Sequence, residues 1–175
     1  MGLGQFGVQF VDLFYHHPAV EKFALCDLDP ERLKPFAGND AYRAKLAVKD
    51  CYTRYEDMLA SDLDAVVIIT QPWLHAEQSV QALEAGKSVY SAVPVVMFPD
   101  ADEILEWCDR LVATVRKTGR HYMLGETTYY RPETMFCRRQ AANGAFGRFV
   151  HTLGEYRHGF DSRGCDLRGV YKARY

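Results

Sequence analysis

No stretch of this chain approaches the roughly 18 consecutive apolar residues that mark a membrane-spanning helix, so a membrane partner is not expected. Charge of one sign is also missing. The sequence carries 21 Lys and Arg against 23 Asp and Glu, a net charge of −2. That balance gives no electrostatic footprint for nucleic acid. Cysteine is sparse: Cys26, Cys51, Cys108, Cys137 and Cys165 are odd in number, scattered, and contain no C-x-x-C. A disulfide framework or a zinc site is therefore not expected, and reduced thiols are. The histidines offer one close pair, His16-His17. Adjacent residues of a helix point in different directions, so no shared metal is expected. The first residues have neither a basic n-region nor an apolar h-region, which argues against a secretory leader and for a cytoplasmic location. There is no internal repeat and no low-complexity linker.

What is present is an ordinary globular composition, 48% hydrophobic and 25% charged in 175 residues. That length can bury a core. "QFGVQFVDLFYH" (5–16) places Phe6, Phe10, Leu13 and Phe14 at helical spacing, and the aromatic stripe is expected to face the core. Pro18 ends that helix. "KFALCD" (22–27) reads as a buried strand closing on an acid. Asp29 and Pro30 read as the N-cap and first residue of a helix. "AKLAVKDCY" (44–52) is a candidate strand, and "RYEDMLAS" (54–61) a short helix. "LDAVVIIT" (63–70) is the strongest strand, its β-branched run suiting a sheet covered on both faces. A helix over 72–86, a strand over 87–93, a long helix over 100–119, a strand over 120–127 and a helix over 131–144 follow. "RFVHTLGEY" (148–156) alternates like a further strand. The polar, basic stretch from Arg157 to Arg174 has too little apolar surface for a core of its own and reads as an unfinished loop.

This alternation predicts an α/β fold, a doubly wound parallel sheet of Rossmann type. Gly2, Gly4 and Gly7 stand at the G-x-G-x-x-G spacing of a dinucleotide-binding turn. A helix follows directly, and Asp27 lies about twenty residues further on, where an acid holds the ribose hydroxyls. An acid there favours NAD over NADP. The alternative role of Asp27 is simply to begin the turn "DLDP". The fingerprint ordinarily follows the central strand of the sheet, and almost no residues precede Gly2. The sheet is therefore expected to lack its first strand, leaving backbone groups unpaired at about 1–3 kcal/mol each.

Four segments resemble the glucose–fructose oxidoreductase, inositol dehydrogenase and rhizopine-catabolism family, Gfo/Idh/MocA. They are "GLGQFG" (2–7), "CDLDPERL" (26–33), "DAVVIITQPWLHAEQSVQALEAGKSVYSAVP" (64–94), and "GETTYYRPE" (125–133) leading into "GAFGRFVHTLGEY" (144–156). The resemblance implies a dinucleotide-binding domain over 1–125, incomplete at its start. It implies a crossover helix and the beginning of a second, α+β substrate domain over 126–175. Gly2, Gly4 and Gly7 would line the pyrophosphate and Asp27 the adenosine ribose. Thr70, Gln71, Pro72, Leu74 and His75 would approach the nicotinamide ribose, with Pro94 in the turn opposite. For His75, a tie from the helix start to a neighbouring loop is the alternative.

The family's dehydrogenases carry Glu-Lys-Pro where this chain has Ala92, Val93 and Pro94. Valine has no donor, charge or proton path. Lys87 begins the same strand and lies too far away to substitute. Further catalytic side chains of the family come from the second domain. Within this chain, Glu126 and Tyr129, with Tyr130 and Arg131, are the weak candidates for substrate contact, against a role in tying the crossover helix to the sheet. The implied activity is oxidation of a sugar, polyol or related hydroxy compound with NAD, with the piece itself inactive. An NAD-dependent glycoside hydrolase and a non-catalytic nucleotide-binding remnant stand beside it. A small-molecule, carbohydrate or polyol partner is implied, as is a homo-oligomer through the β-sheet domain.

Overall fold

The computed structural model describes residues 1–151 and 153–155. They fall in two units, the first Met1–Tyr130 and the second beginning at Arg131. Thr127–Tyr130, a single 3-10 turn, stays with the first unit.

The first unit contains β1 (Leu25–Cys26), β2 (Cys51–Tyr52), β3 (Ala65–Ile68), β4 (Ser88–Ala92) and β5 (Tyr122–Gly125). Its helices are α1 (Gln9–His16), α2 (Tyr55–Leu59), α3 (His75–Glu84) and α4 (Ala101–Thr118). All strand pairings are parallel: β1 with β2, and β3 with β4 with β5. The two ladders meet at the first residues of the chain. The Gly2 N–H donates to the Cys26 carbonyl at 2.9 Å, and the Ile69 N–H donates to the Met1 carbonyl at 2.9 Å. The Met1 amino group donates to the Val67 carbonyl at 2.6 Å. Met1 and Gly2 thus lie between β1 and β3, giving the order β2–β1–(Met1–Gly2)–β3–β4–β5. That is the doubly wound order. The expected gap at the sheet centre is bridged at the ends of the strands that carry the site.

The local rules explain the strongest elements. Asp100 caps α4 by accepting from the Asp102 and Glu103 N–H groups, and Gly119 closes it in the left-handed region at φ +65°. Asp29 caps the turn Pro30–Arg32 through the Glu31 N–H. That turn stays a single 3-10 turn, with Pro35 and the left-handed Gly38 close behind it. Ile68, Val80 and Leu83 form the centre of one core cluster with Val66, Val89 and Leu111. Leu3, Val11, Phe23 and Leu25 centre the other.

Some expectations do not hold. The stripe Phe6, Phe10 and Phe14 is not the core: Phe6 is 51% exposed and the other two rings are half-buried. The helix begins at Gln9, so the preceding turn takes Phe6 out of helical phase, and Val11 is the helix's buried residue. Phe10 instead packs edgewise on Phe6 and stacks on Phe14. The candidate strands 22–27 and 44–52 shrink to two residues each, the second preceded by a 3-10 turn at Val48–Asp50. In the second unit, α5 (Pro132–Ala142) begins on proline as expected, and Gly144 follows it at φ +75°. Residues 148–151 and 153–155 form no strand, because no described residues supply a ladder partner. The stretch from Arg157 to Arg174, with Cys165, lies outside the described residues.

Desolvation pushes the Met1 amino group down to about 6, against partial relief from Asp27. The unfolded chain binds more protons than the folded one between that value and the ordinary 8.0, so stability rises with pH through the window. The 175-residue chain should gain about 2 kcal/mol from pH 6 to pH 8 through this group. Denaturant titrations at the two pH values, repeated on N-terminally acetylated chain, check this. Acetylation should remove the gain, and an unchanged pH dependence would contradict it.

Candidate functional site: a glycine turn and an acid at the strand ends

The site forms where β1, β3, β4 and β5 end. It is a cavity of about 990 Å³ lined by the glycine turn, Asp27, the segment Ile69–His75, Ala92-Val93, Gly125 and Thr127. The three glycines have different reasons to be glycine. Gly2 is at φ +82°, and a Cβ there would overlap the Ile69 carbonyl. A Cβ on Gly7 would overlap the Gly2 carbonyl, so the start of α1 can close on the turn only without a side chain. Gly4 meets no backbone: a Cβ on it would lie 3.3 Å from Arg32 Nη1. These are the tight-turn, close-packing and open-approach roles of a dinucleotide cradle. The residues present therefore fit a dinucleotide.

Asp27 ends β1 and reaches back to the turn. Its Oδ2 accepts from the Leu3 N–H at 2.6 Å and its Oδ1 from the Asp29 N–H at 2.9 Å. It begins the DLDP turn and lines the cavity at once. Each carboxylate oxygen keeps a second lone pair for a ligand hydroxyl. Beside it, Cys26 is buried, and burial pushes its thiol up to about 11, which leaves it inert.

On the other side, β3 runs out at Thr70 into the 3-10 turn Pro72–Leu74 and then α3. Thr70 Oγ1 donates to Gln78 Oε1 at 2.6 Å, and the Tyr55 hydroxyl donates to the Gln78 carbonyl at 2.7 Å. Gln78 thereby holds the loop to α2 and α3. His75 is 1% exposed. Its Nδ1 faces the Pro94 carbonyl at 2.8 Å and its Nε2 the Thr70 carbonyl at 3.1 Å. The tautomer decides which ring nitrogen donates. His75 lies between the Thr70 loop and the turn at Pro94, with a backbone carbonyl facing each ring nitrogen.

Val93 is 44% exposed and sits on the cavity wall. Lys87 is buried at the opposite end of β4, its Nζ donating to the Ser61 carbonyl at 2.5 Å. It does not line the cavity. Neither do Glu126 and Tyr129, although Gly125 and Thr127 around them do. Glu126 Oε1 accepts from the Thr128 N–H at 2.9 Å, and Tyr129 packs edgewise on Tyr130. Arg32, Gln78 and Leu28 are among the lining residues that the motif reading did not assign. Arg32 had a signal, since it is five residues past Asp27 on a turn that doubles back. Gln78 had none, because its contacts join three separate elements.

Residues 1–126 match the model of an oxidoreductase family with an NAD-binding Rossmann fold, GFO_IDH_MocA. The chain belongs to the Gfo/Idh/MocA family. Among curated relatives it is similar to glycosyl hydrolase family 109 protein 1 of Bacteroides fragilis. The two are 35% identical over 166 residues, which cover 92% of this chain and 34% of that protein. A glycosyl hydrolase family 109 protein of Shewanella woodyi is 31% identical over 163 residues, 90% of this chain and 33% of its own. The chain thus spans about a third of the length of these relatives. Among solved structures it is similar in fold to the WlbA dehydrogenase of Bordetella pertussis, a complex with NADH and UDP-GlcNAcA. The TM-score is 0.69 at 23% identity, over 84% of this chain and 41% of that one. It is also similar in fold to scyllo-inositol dehydrogenase of Lactobacillus casei with NAD(H) and scyllo-inositol bound. There the TM-score is 0.68 at 19% identity, over 83% of this chain and 40% of that one. No described helix is long and apolar enough to cross a membrane.

Gly7→Ala tests the cradle. The overlap with the Gly2 carbonyl must be relieved by moving α1, at a cost on the order of 3 kcal/mol. A melting temperature equal to that of the unmodified chain would contradict this packing.

Proposed function

We propose that this chain is the NAD-binding part of an enzyme that oxidises a hydroxyl-bearing carbon of a sugar or polyol. The observation that carries the reading is the convergence of Gly2, Gly4, Gly7 and Asp27 on the same cavity as Thr70–His75 and Val93. Gly2 and Gly7 shape the turn, Gly4 leaves room for the pyrophosphate, and Asp27 takes the adenosine ribose hydroxyls. Thr70, Gln71, Pro72 and Leu74 line the far wall, where the nicotinamide ribose would rest. His75 acts there as a positioning residue for that wall and for the turn at Pro94. NAD rather than NADP suits the site, because Asp27 and Asp29 together would repel a 2′-phosphate. When bound, the nicotinamide supplies hydride acceptance; the protein supplies orientation and proton handling.

Val93 shapes the reading further. It cannot take a proton from a substrate hydroxyl, so this wall contributes apolar contact and water exclusion, and a base must come from elsewhere in the whole protein. A second reading is favoured by that residue together with the names of the curated relatives. In it, oxidation is transient and serves glycoside cleavage, with the hydride returned to the sugar.

Nucleotide binding is the first test. NAD at 100 times its Kd should stabilise the chain by about 2.7 kcal/mol. Asp27→Asn should bind NAD more weakly. Absence of any stabilisation would mean that the cradle does not hold a nucleotide. With a whole protein of this family carrying this domain, polyols producing a rise in absorbance at 340 nm support net oxidation. Release of a chromogenic aglycone without net NADH supports the glycosidase reading.

A further inference from the structure

Arg32 stands at the middle glycine of the cradle with most of its hydrogen-bonding capacity uncommitted. Its Nη1 is the atom that a Cβ on Gly4 would approach, at 3.3 Å. Its ionic partner among the described residues is Asp29, through one long contact from Nε to Oδ2 at 3.6 Å. A guanidinium offers five donors in a fork suited to phosphate oxygens. The side chain is about half exposed and lines the cavity. The other cavity arginine, Arg54, is on a different segment and lies within 4.0 Å of both Glu56 and Asp57.

Arg32 stands near two carboxylates, Asp29, its ionic partner, and Asp27, which meets the turn at the Leu3 N–H. Asp27 and Asp29 gather at the end of β1, joined by the Asp29 N–H. The Gly4 side contributes backbone without a side chain. An anion lying against the bare Gly4 backbone would therefore have the Arg32 guanidinium within reach. We propose that Arg32 is a phosphate-binding residue of this site, taking the pyrophosphate of the dinucleotide beside Gly4 and giving up its long pair with Asp29. The proposal rests on the reading of the cavity as a dinucleotide site. The absence of a side chain at Gly4 then serves two ends, since it admits the pyrophosphate and leaves the guanidinium room to close on it.

Calorimetric titration of the chain, of Arg32→Ala and of Arg32→Lys tests this, with NAD, ADP-ribose and adenosine as probes. Melting temperatures of the unliganded variants accompany it. Arg32→Ala should weaken NAD and ADP-ribose about tenfold or more, the scale of a charge-assisted contact, and leave adenosine unchanged. Arg32→Lys should recover part of the loss, and the difference should shrink in high salt. Unchanged NAD affinity in Arg32→Ala, with the parent chain binding normally, overturns the role of Arg32 alone. Equal losses for adenosine overturn it too, as they would mark a residue that only shapes the pocket. A loss confined to NADP and 2′-AMP, run as further probes, would assign the arginine to a 2′-phosphate instead. Failure of the parent chain to bind NAD or ADP-ribose takes down the dinucleotide reading together with this one.

Discussion

The structure of the first unit turns on three residues, Met1–Leu3, held between two ladders that do not otherwise share a strand. Gly2 bonds to Cys26, Met1 to Val67 and Ile69, and Leu3 to the carboxylate of Asp27. A buried backbone group without a partner costs about 1–3 kcal/mol, so this short segment matters out of proportion to its length. It also fixes the chemistry. Gly2 can sit against Ile69 only because it has no side chain, and Gly7 can sit against Gly2 for the same reason. Asp27 is drawn to the turn by the Leu3 N–H, and this brings the acid into the same cavity as the glycines.

Much of the remainder could be read from residue types. The β-branched run of β3, the capping aspartate of α4 and the glycine that ends it are local signals, and local signals survive into the fold. The failures are tertiary. Helical spacing assigned Phe6 to the core, but the residue belongs to the turn that serves the cradle. A strand pattern at 148–156 finds no ladder among the described residues. Within the site, Gly2, Gly4, Gly7 and Asp27 were legible because a dinucleotide turn restricts both residue type and spacing. Gln78 was not, because its contacts join elements that only folding brings together.

The two sides of the cavity differ in character. Around Asp27 there are carboxylates and guanidinium groups suited to a ribose and phosphates. The other side carries Val93, and His75 there faces the Pro94 and Thr70 carbonyls. The fold is shared with dehydrogenases solved with NADH and UDP-GlcNAcA or with NAD(H) and scyllo-inositol, and the sequence is similar to that of glycosyl hydrolase family 109 proteins.

The central claim is that the segment completing the sheet is also the nucleotide cradle. Amide NMR spectra of the chain recorded through a titration with NAD test it most directly. The account predicts the largest shifts at Gly2, Gly4, Gly7, Leu28 and Gln71, with α4 nearly still. Shifts confined to residues outside that cavity, or a spectrum unmoved by NAD, would contradict it.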